Sequence, residues 1–170
     1  MPARNQAALD FLLSRKSYPA KMLTAPYPRR ADLTEMLTAA ARTPDHGKLE
    51  PWRCIVLNGA ALDRLAAAME MRGPEMGEDP EKVAKSVATY RGAGCAVVVV
   101  SSPVALDKFP TSEQVYSAGG ACLALVNAAT AAGWGASWIS GWFSHDRTFV
   151  EKNLGLEPHE TVAGIIHLGT

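Results

Sequence analysis

Apolar positions along this chain fall into stretches with a helical period, separated by short runs that are apolar throughout. Ala8, Leu9, Leu12 and Leu13 recur at helical spacing and predict a short amphipathic helix from Asn5 to Ser14, with Asn5 as its cap. Pro19, Pro26 and Pro28 make the next stretch extended and irregular. A second helix is predicted from about Ala31 to Arg42, with Leu33, Met36, Leu37 and Ala40 on one face. A third spans Ala60 to Arg72, with Leu62, Leu65, Ala66 and Met69 inward, and a weaker one spans Glu81 to Arg91. Residues 73–80 are rich in Gly, Pro and acids and read as a mobile loop. Arg53–Asn58 reads as a strand, and Cys95–Val100 is so continuously apolar that it predicts a strand buried on both faces. Residues 102–110 read as loop. Two further strands are expected at Trp134–Ser140 and Thr161–Leu168, with a helix at Asp146–Asn153 closed by Gly155 between them.

The longest element runs from Ser112 to Ala132, Ala-rich and apolar nearly all round, as in a helix buried at the centre of a fold or between subunits. Adjacent glycines inside it, Gly119 and Gly120, cost roughly 1 kcal/mol each relative to alanine, so something should approach the helix closely there. The order of elements, with no repeat and no long linker, predicts a single layered α+β domain over residues 1–170.

The second helix delivers a polar loop to a strand. Pro44 ends the helix, Gly47 lets the loop turn, and Pro51 biases Glu50 toward extended backbone so that Trp52 opens the strand. Arg42, Asp45, His46, Lys48 and Trp52 are thereby crowded at one sheet edge, the kind of loop that often binds ligands.

Charge narrows the classes. Seventeen basic residues balance seventeen acidic ones, which argues against a broad surface for nucleic acid or anionic membrane. No apolar run approaches membrane-spanning length, and no secretory leader is evident. The three cysteines, Cys54, Cys95 and Cys122, have no metal or disulfide spacing and read as buried reduced thiols of a cytoplasmic protein.

Four features could carry chemistry. Arg15-Lys16-Ser17 at a helix end suits an anionic phosphate, or is simply a solvated basic surface. Arg42 and His46 could donate to an anion or a planar heterocycle, although a single loop histidine is more often a surface residue, and His145, His159 and His167 share no metal-ligand spacing with it. Trp134-Gly-Ala-Ser-Trp-Ile-Ser-Gly141 places small residues between tryptophans, so a flat ligand could lie against the backbone, or the aromatics pack in a core. The glycine pair fits close helix packing. No nucleophile elbow, P-loop or dinucleotide fingerprint is present, which leaves redox chemistry to a bound cofactor if the protein is an enzyme.

Together these segments resemble the nitroreductase family of flavin enzymes, in its small single-domain branch. The matching pieces are Ser14-Arg15-Lys16-Ser17, then Ala41 to His46 leading into Glu50-Pro51-Trp52-Arg53. Ser117-Ala118-Gly119, Gly133-Trp134-Gly135, Trp138 to Gly141 and the closing Gly164 to Thr170 complete them. The resemblance implies a central mixed, mainly antiparallel sheet of about four strands flanked by helices, and a long buried central helix. It implies a homodimer holding FMN at the subunit interface, with NAD(P)H and a small acceptor as substrates.

Carried over by position, Arg15, Lys16 and Ser17 would hold the phosphate and ribityl end, and Arg42 and His46 would contact the flavin from the other subunit. The backbone at Trp138, Ile139 and Ser140 would face the isoalloxazine ring. Ala128, Ala129, Thr130, Ala131, Ala132 and Gly133 match a stretch linked to the nicotinamide. No side chain is expected to be a nucleophile, and no metal is expected. Two departures stand out. Ile139 occupies a position where the resemblance leads one to expect a basic residue, and the Pro-rich tail that would follow Leu168-Gly169-Thr170 is missing. The implied activity is hydride transfer from NAD(P)H to FMN N5 and on to a nitroaromatic, quinone or enone. The alternatives are a sensor or carrier without turnover, or flavin-dependent dehalogenation or flavin breakdown.

Overall fold

A strand that is apolar at every position must be covered on both sides, and the architecture follows from that. The computed structural model describes residues 3–170. Its sheet has four strands, β1 (Trp52–Asn58), β2 (Cys95–Ser101), β3 (Gly135–Ile139) and β4 (Thr161–Gly169), in the order β1-β2-β4-β3. Every pairing is antiparallel, so the sheet is not the mixed one the resemblance implied. Trp52 pairs with Ser101 at one end of the sheet, and Gly135 pairs with Gly169 at the other. The register shifts between Val99 and Val100, leaving Ala163 of β4 as the extra residue of a bulge.

β2 is buried at all seven positions. Ala96, Val98 and Val100 face one core with α3 (Gly59–Glu75), α4 (Pro80–Tyr90) and α6 (Arg147–Leu154). Cys95, Val97 and Val99 face a second core with α2 (Arg30–Ala40) and α5 (Thr111–Ala131). α1 (Gln6–Ser14) is capped by Asn5, whose side chain accepts from Ala8 N at 3.1 Å, yet it buries no residue and leaves Leu9, Leu12 and Leu13 exposed. No helix among the described residues is long and apolar enough to cross a membrane.

Four local expectations are corrected. The loop expected from Gly73 begins later, because α3 continues through Gly73 and Pro74 to Glu75. Gly73 is buried where a Cβ would overlap the Val83 side chain, so helix–helix packing overrides the local loop signal. Trp134 lies outside β3, with its N–H on Ala129 O at 2.9 Å as part of the α5 terminus. Cys54 is exposed on edge strand β1, whereas Cys95 and Cys122 are buried, and burial pushes those two thiols up to about 11 and about 12. α5 is buried along one face only; Val115, Tyr116 and Leu123 are exposed. Of its glycine pair, Gly120 meets the Thr43 methyl, 3.0 Å from where a Cβ would sit, while Gly119 faces open space.

Two buried acids tie the second half of the chain to the first. Glu160 accepts from Arg53 Nε at 2.7 Å and Nη2 at 2.6 Å, and Asp146 accepts from Arg72 Nε at 2.6 Å. The Arg53 hydrogen bond holds the Glu160 carboxyl down at about 2. Burial alone pushes His167 from the usual 6.5 down to about 4.

Both groups bind a proton more readily unfolded than folded, so both stabilise less as pH falls. His167 is expected to cost about 3 kcal/mol of stability between pH 6.5 and pH 4, and Glu160 adds a further loss from pH 4.5 down toward pH 2. Denaturant melts across that range check it; His167→Met should flatten the upper part of the curve, and an unchanged slope contradicts the assignment. Gly73→Ala, favourable on an open helix, is expected to destabilise by about 1–3 kcal/mol through overlap with Val83, measured by urea unfolding.

Candidate functional site

The segment after α1 reaches the sheet by a single backbone bond, Tyr18 N–H to Ala136 O at 3.1 Å, which sets it along the free edge of β3. Thr24 and Thr170 then exchange two backbone bonds, at 3.2 and 2.9 Å, and secure the segment's far end. Arg15 is half-buried and its Nη2 donates to Ser17 Oγ at 3.3 Å, but its Nε is buried with no acceptor. A buried guanidinium donor left unpaired costs free energy, and an anion is its natural complement. Lys16 and Ser17 are exposed beside it.

Past β3 the chain bends at Gly141, whose N–H donates to Ser144 Oγ at 3.2 Å. Trp138 is 42% exposed, and its indole covers the backbone of Gly164, where no side chain would fit. Ile139 packs against the core formed by α3, α4 and α6. Ile139 is only partly buried there, and its apolar side chain stands where a basic one was expected. Ser140 is exposed.

The bend opens onto a cleft of about 750 Å³. Ile139, Ser140 and Gly141 form one wall, Pro19, Ala20 and Lys21 another, and α4 the third. α4 supplies Lys82, Lys85, Ser86 and Thr89, which the sequence reading passed over. Their signal was present: they recur at helical spacing opposite Val83, Val87 and Tyr90, which are buried. Three lysines meet one acid, Glu78, already paired with Lys82 at 3.4 Å, so the cleft is positive overall. Deeper in the same wall, Trp142 Nε1 and Tyr90 OH are buried without partners. A groove of about 530 Å³ between α3 and α4 is mainly apolar, and the Glu70–Arg91 pair neutralises its rim, so it offers less to a polar ligand.

Arg42 and His46 lie elsewhere, in the loop that enters β1. Ser117 of α5 clamps this loop: its Oγ accepts from Trp52 Nε1 at 3.1 Å and donates to Pro44 O at 2.9 Å. Gly47, at φ +88°, has the Phe109 ring 2.5 Å from where its Cβ would be. His46 Nδ1 meets Glu113 Oε2 at 2.7 Å, and its ring stands edge-on to Phe109 with centroids 4.7 Å apart. Arg42 is exposed.

β1 and β3 are opposite edges of the sheet. Three strand spacings, roughly 14 Å, separate them, and the loop enters at Trp52, the end of the sheet away from Ala136. One copy of the chain therefore brings Pro19, Ala20 and Lys21 to the bend at Ile139–Gly141. Arg15, Lys16 and Ser17 precede them along the β3 edge and are not among the residues that line the cleft, and Arg42 and His46 lie at the other edge of the sheet. The stretch Ala128 to Gly133 forms the last turn and cap of α5; Thr130 and Gly133 border a groove of about 470 Å³ with Tyr18 and Leu23, while Ala129 is fully buried.

Comparison with known proteins agrees with this fold. The family model described as Nitroreductase family matches residues 12–170. The Escherichia coli K12 protein named "Putative NAD(P)H nitroreductase YdjA" is 32% identical over 163 residues, 96% of this chain and 87% of that one. Among solved structures, a nitroreductase-like family protein from Bacillus cereus superposes with a TM-score of 0.75 at 20% identity, covering 99% of this chain and 87% of that one. An FMN-dependent nitroreductase from Clostridium difficile R20291 does so with a TM-score of 0.67 at 20% identity, covering 95% and 86%. With a family match running from the end of α1 to the last residue, on the same fold, this chain belongs to the nitroreductase family.

Proposed function

We propose that the protein is a cytoplasmic FMN-dependent NAD(P)H oxidoreductase that acts as a homodimer. One observation carries the reading: a basic segment with an unpaired, buried Arg15 Nε and a bent, exposed backbone at Ser140 lie along one sheet edge beside a positive cleft. About 750 Å³ is within the usual range for cofactor sites. The residues suit FMN, whose phosphate is anionic and whose ring is flat. When bound, FMN supplies the two-electron chemistry between NAD(P)H and an electron-poor acceptor such as a nitroaromatic, quinone or enone.

The chain's own residues bind and orient. Arg15, Lys16 and Ser17 hold the phosphate and ribityl end through charge-assisted bonds. The backbone of Trp138, Ile139 and Ser140 provides groups for the ring edge without a charged side chain. Lys21 and Lys85 add positive potential in the cleft, which favours the extra electron density of a reduced ring. Of the stretch Ala128 to Gly133, Thr130 and Gly133 border the neighbouring groove, the proposed approach for the nicotinamide.

The separation of the two edges supports the homodimer in this reading. Arg42 and His46 contact the same cofactor only if a second copy brings its own β1 edge to this cleft. The exposed apolar residues of α1 and of the outer face of α5, Leu12, Leu13, Tyr116 and Leu123 among them, are surface for such an interface. A second reading, a flavin-binding sensor or carrier without turnover, is favoured by Ile139, an apolar side chain at the cleft where a cation would otherwise tune the ring. Flavin-dependent dehalogenation or flavin breakdown on the same scaffold would show in the products.

FMN-loaded protein is expected to bleach on anaerobic addition of NADPH or NADH and to regain its colour with a nitroaromatic or quinone. A yellow protein that ignores both nucleotides favours the sensor reading instead. Arg15→Ala is expected to weaken FMN binding by about 1.5–3 kcal/mol, read from flavin fluorescence titration; unchanged affinity removes Arg15 from the site.

A further inference from the structure

Glu113 occupies the first turn of α5, and its carboxylate meets His46 Nδ1 at 2.7 Å across the loop that enters β1. An ionised carboxylate only accepts, so the proton in this bond belongs to His46 Nδ1. The ring has little freedom besides. Phe109 stands edge-on to it at 4.7 Å, and the same ring packs against Gly47, the next residue, so the loop cannot shift without losing both contacts. Ser117 holds the preceding residues through Pro44 O. With Nδ1 committed, Nε2 is the nitrogen left to meet anything outside this chain. The side chain is 60% exposed, so the elaborate fixing serves no core. Lys108 Nζ lies 5.2 Å from the Phe109 ring centroid, and Asp45 and Lys48 flank His46 in the same loop.

We propose that Glu113 is a positioning residue for cofactor binding: it holds His46 with Nδ1 protonated and so presents Nε2 to the flavin in the cleft of a second copy. This rests on the reading above that His46 reaches the cofactor from the partner. Glu113 itself touches nothing of the cofactor. It acts by selecting the tautomer and orientation of a loop histidine, as carboxylates do for histidines at other sites.

Two measurements on the full-length protein test it. Long-range ¹H–¹⁵N correlation spectra should show His46 protonated at Nδ1 in the wild type. Glu113→Ala should convert it to the Nε2-protonated form that free imidazole prefers. Glu113→Gln, which keeps an acceptor, should retain much of the wild-type pattern. In FMN titrations, Glu113→Ala, His46→Ala and the double variant should each weaken binding by about two- to fivefold, with the double no worse than either single.

A wild-type His46 that lacks the Nδ1 proton overturns the proposal. So does an FMN affinity that falls in His46→Ala but not in Glu113→Ala. Wild-type protein that binds no FMN overturns the functional reading and this proposal together. Wild-type protein that binds FMN while Glu113→Ala binds it equally well overturns this proposal alone.

Discussion

The burial of β2 on both faces is the constraint from which the rest of the molecule follows. Seven consecutive buried residues require helices above and below, and β4 beside them is nearly as deeply buried. Neither central strand can display a polar group at its faces without an unpaired cost. His167 illustrates the penalty: it sits in the interior of β4 with its Nε2 unpartnered, and it is held neutral by burial. Polar work is thereby displaced to the two edge strands and to the loops that enter and leave them.

The edges are used differently. At β3 the backbone is left open, a basic segment is tied alongside it, and α4 turns a row of lysines and hydroxyls toward the resulting cleft. At β1 the polar groups are locked in a loop braced by Ser117, Glu113 and Phe109. The first arrangement is a concave receptor; the second is a rigid projection. In the homodimer proposed above, the projection of one copy would complete the receptor of the other about a two-fold axis.

The same economy explains the departure at Ile139. Because strand neighbours alternate between faces, exposing Trp138 over Gly164 commits Ile139 to the opposite core. Ile139 is only half-buried and also lines the cleft, so it sets an apolar side chain there in place of a cation. Positive charge near the cleft comes instead from Lys21 and from α4, elements outside the sheet whose side chains reach the space without crossing the core.

Periodicity in the sequence was enough to locate the six α-helices and the four strands of the described residues, since an apolar period marks them whether the face ends up buried, as in α2 to α6, or exposed, as in α1. Residue type, not periodicity, marked Arg15-Lys16-Ser17 and the Trp138–Gly141 bend as candidates, and by itself did not separate them from a solvated basic surface or a packed core. Strand order, and hence the distance between the two groups, was invisible to it, since antiparallel pairing brings together residues more than a hundred positions apart, such as Arg53 and Glu160. The continuation of α3 through Gly73 and Pro74 depended on Val83 of another helix, and the exposure of Cys54 on which strand became the edge. Local pattern records what each segment must bury; only the packed chain decides against which neighbour, and therefore which polar residues end up facing one another.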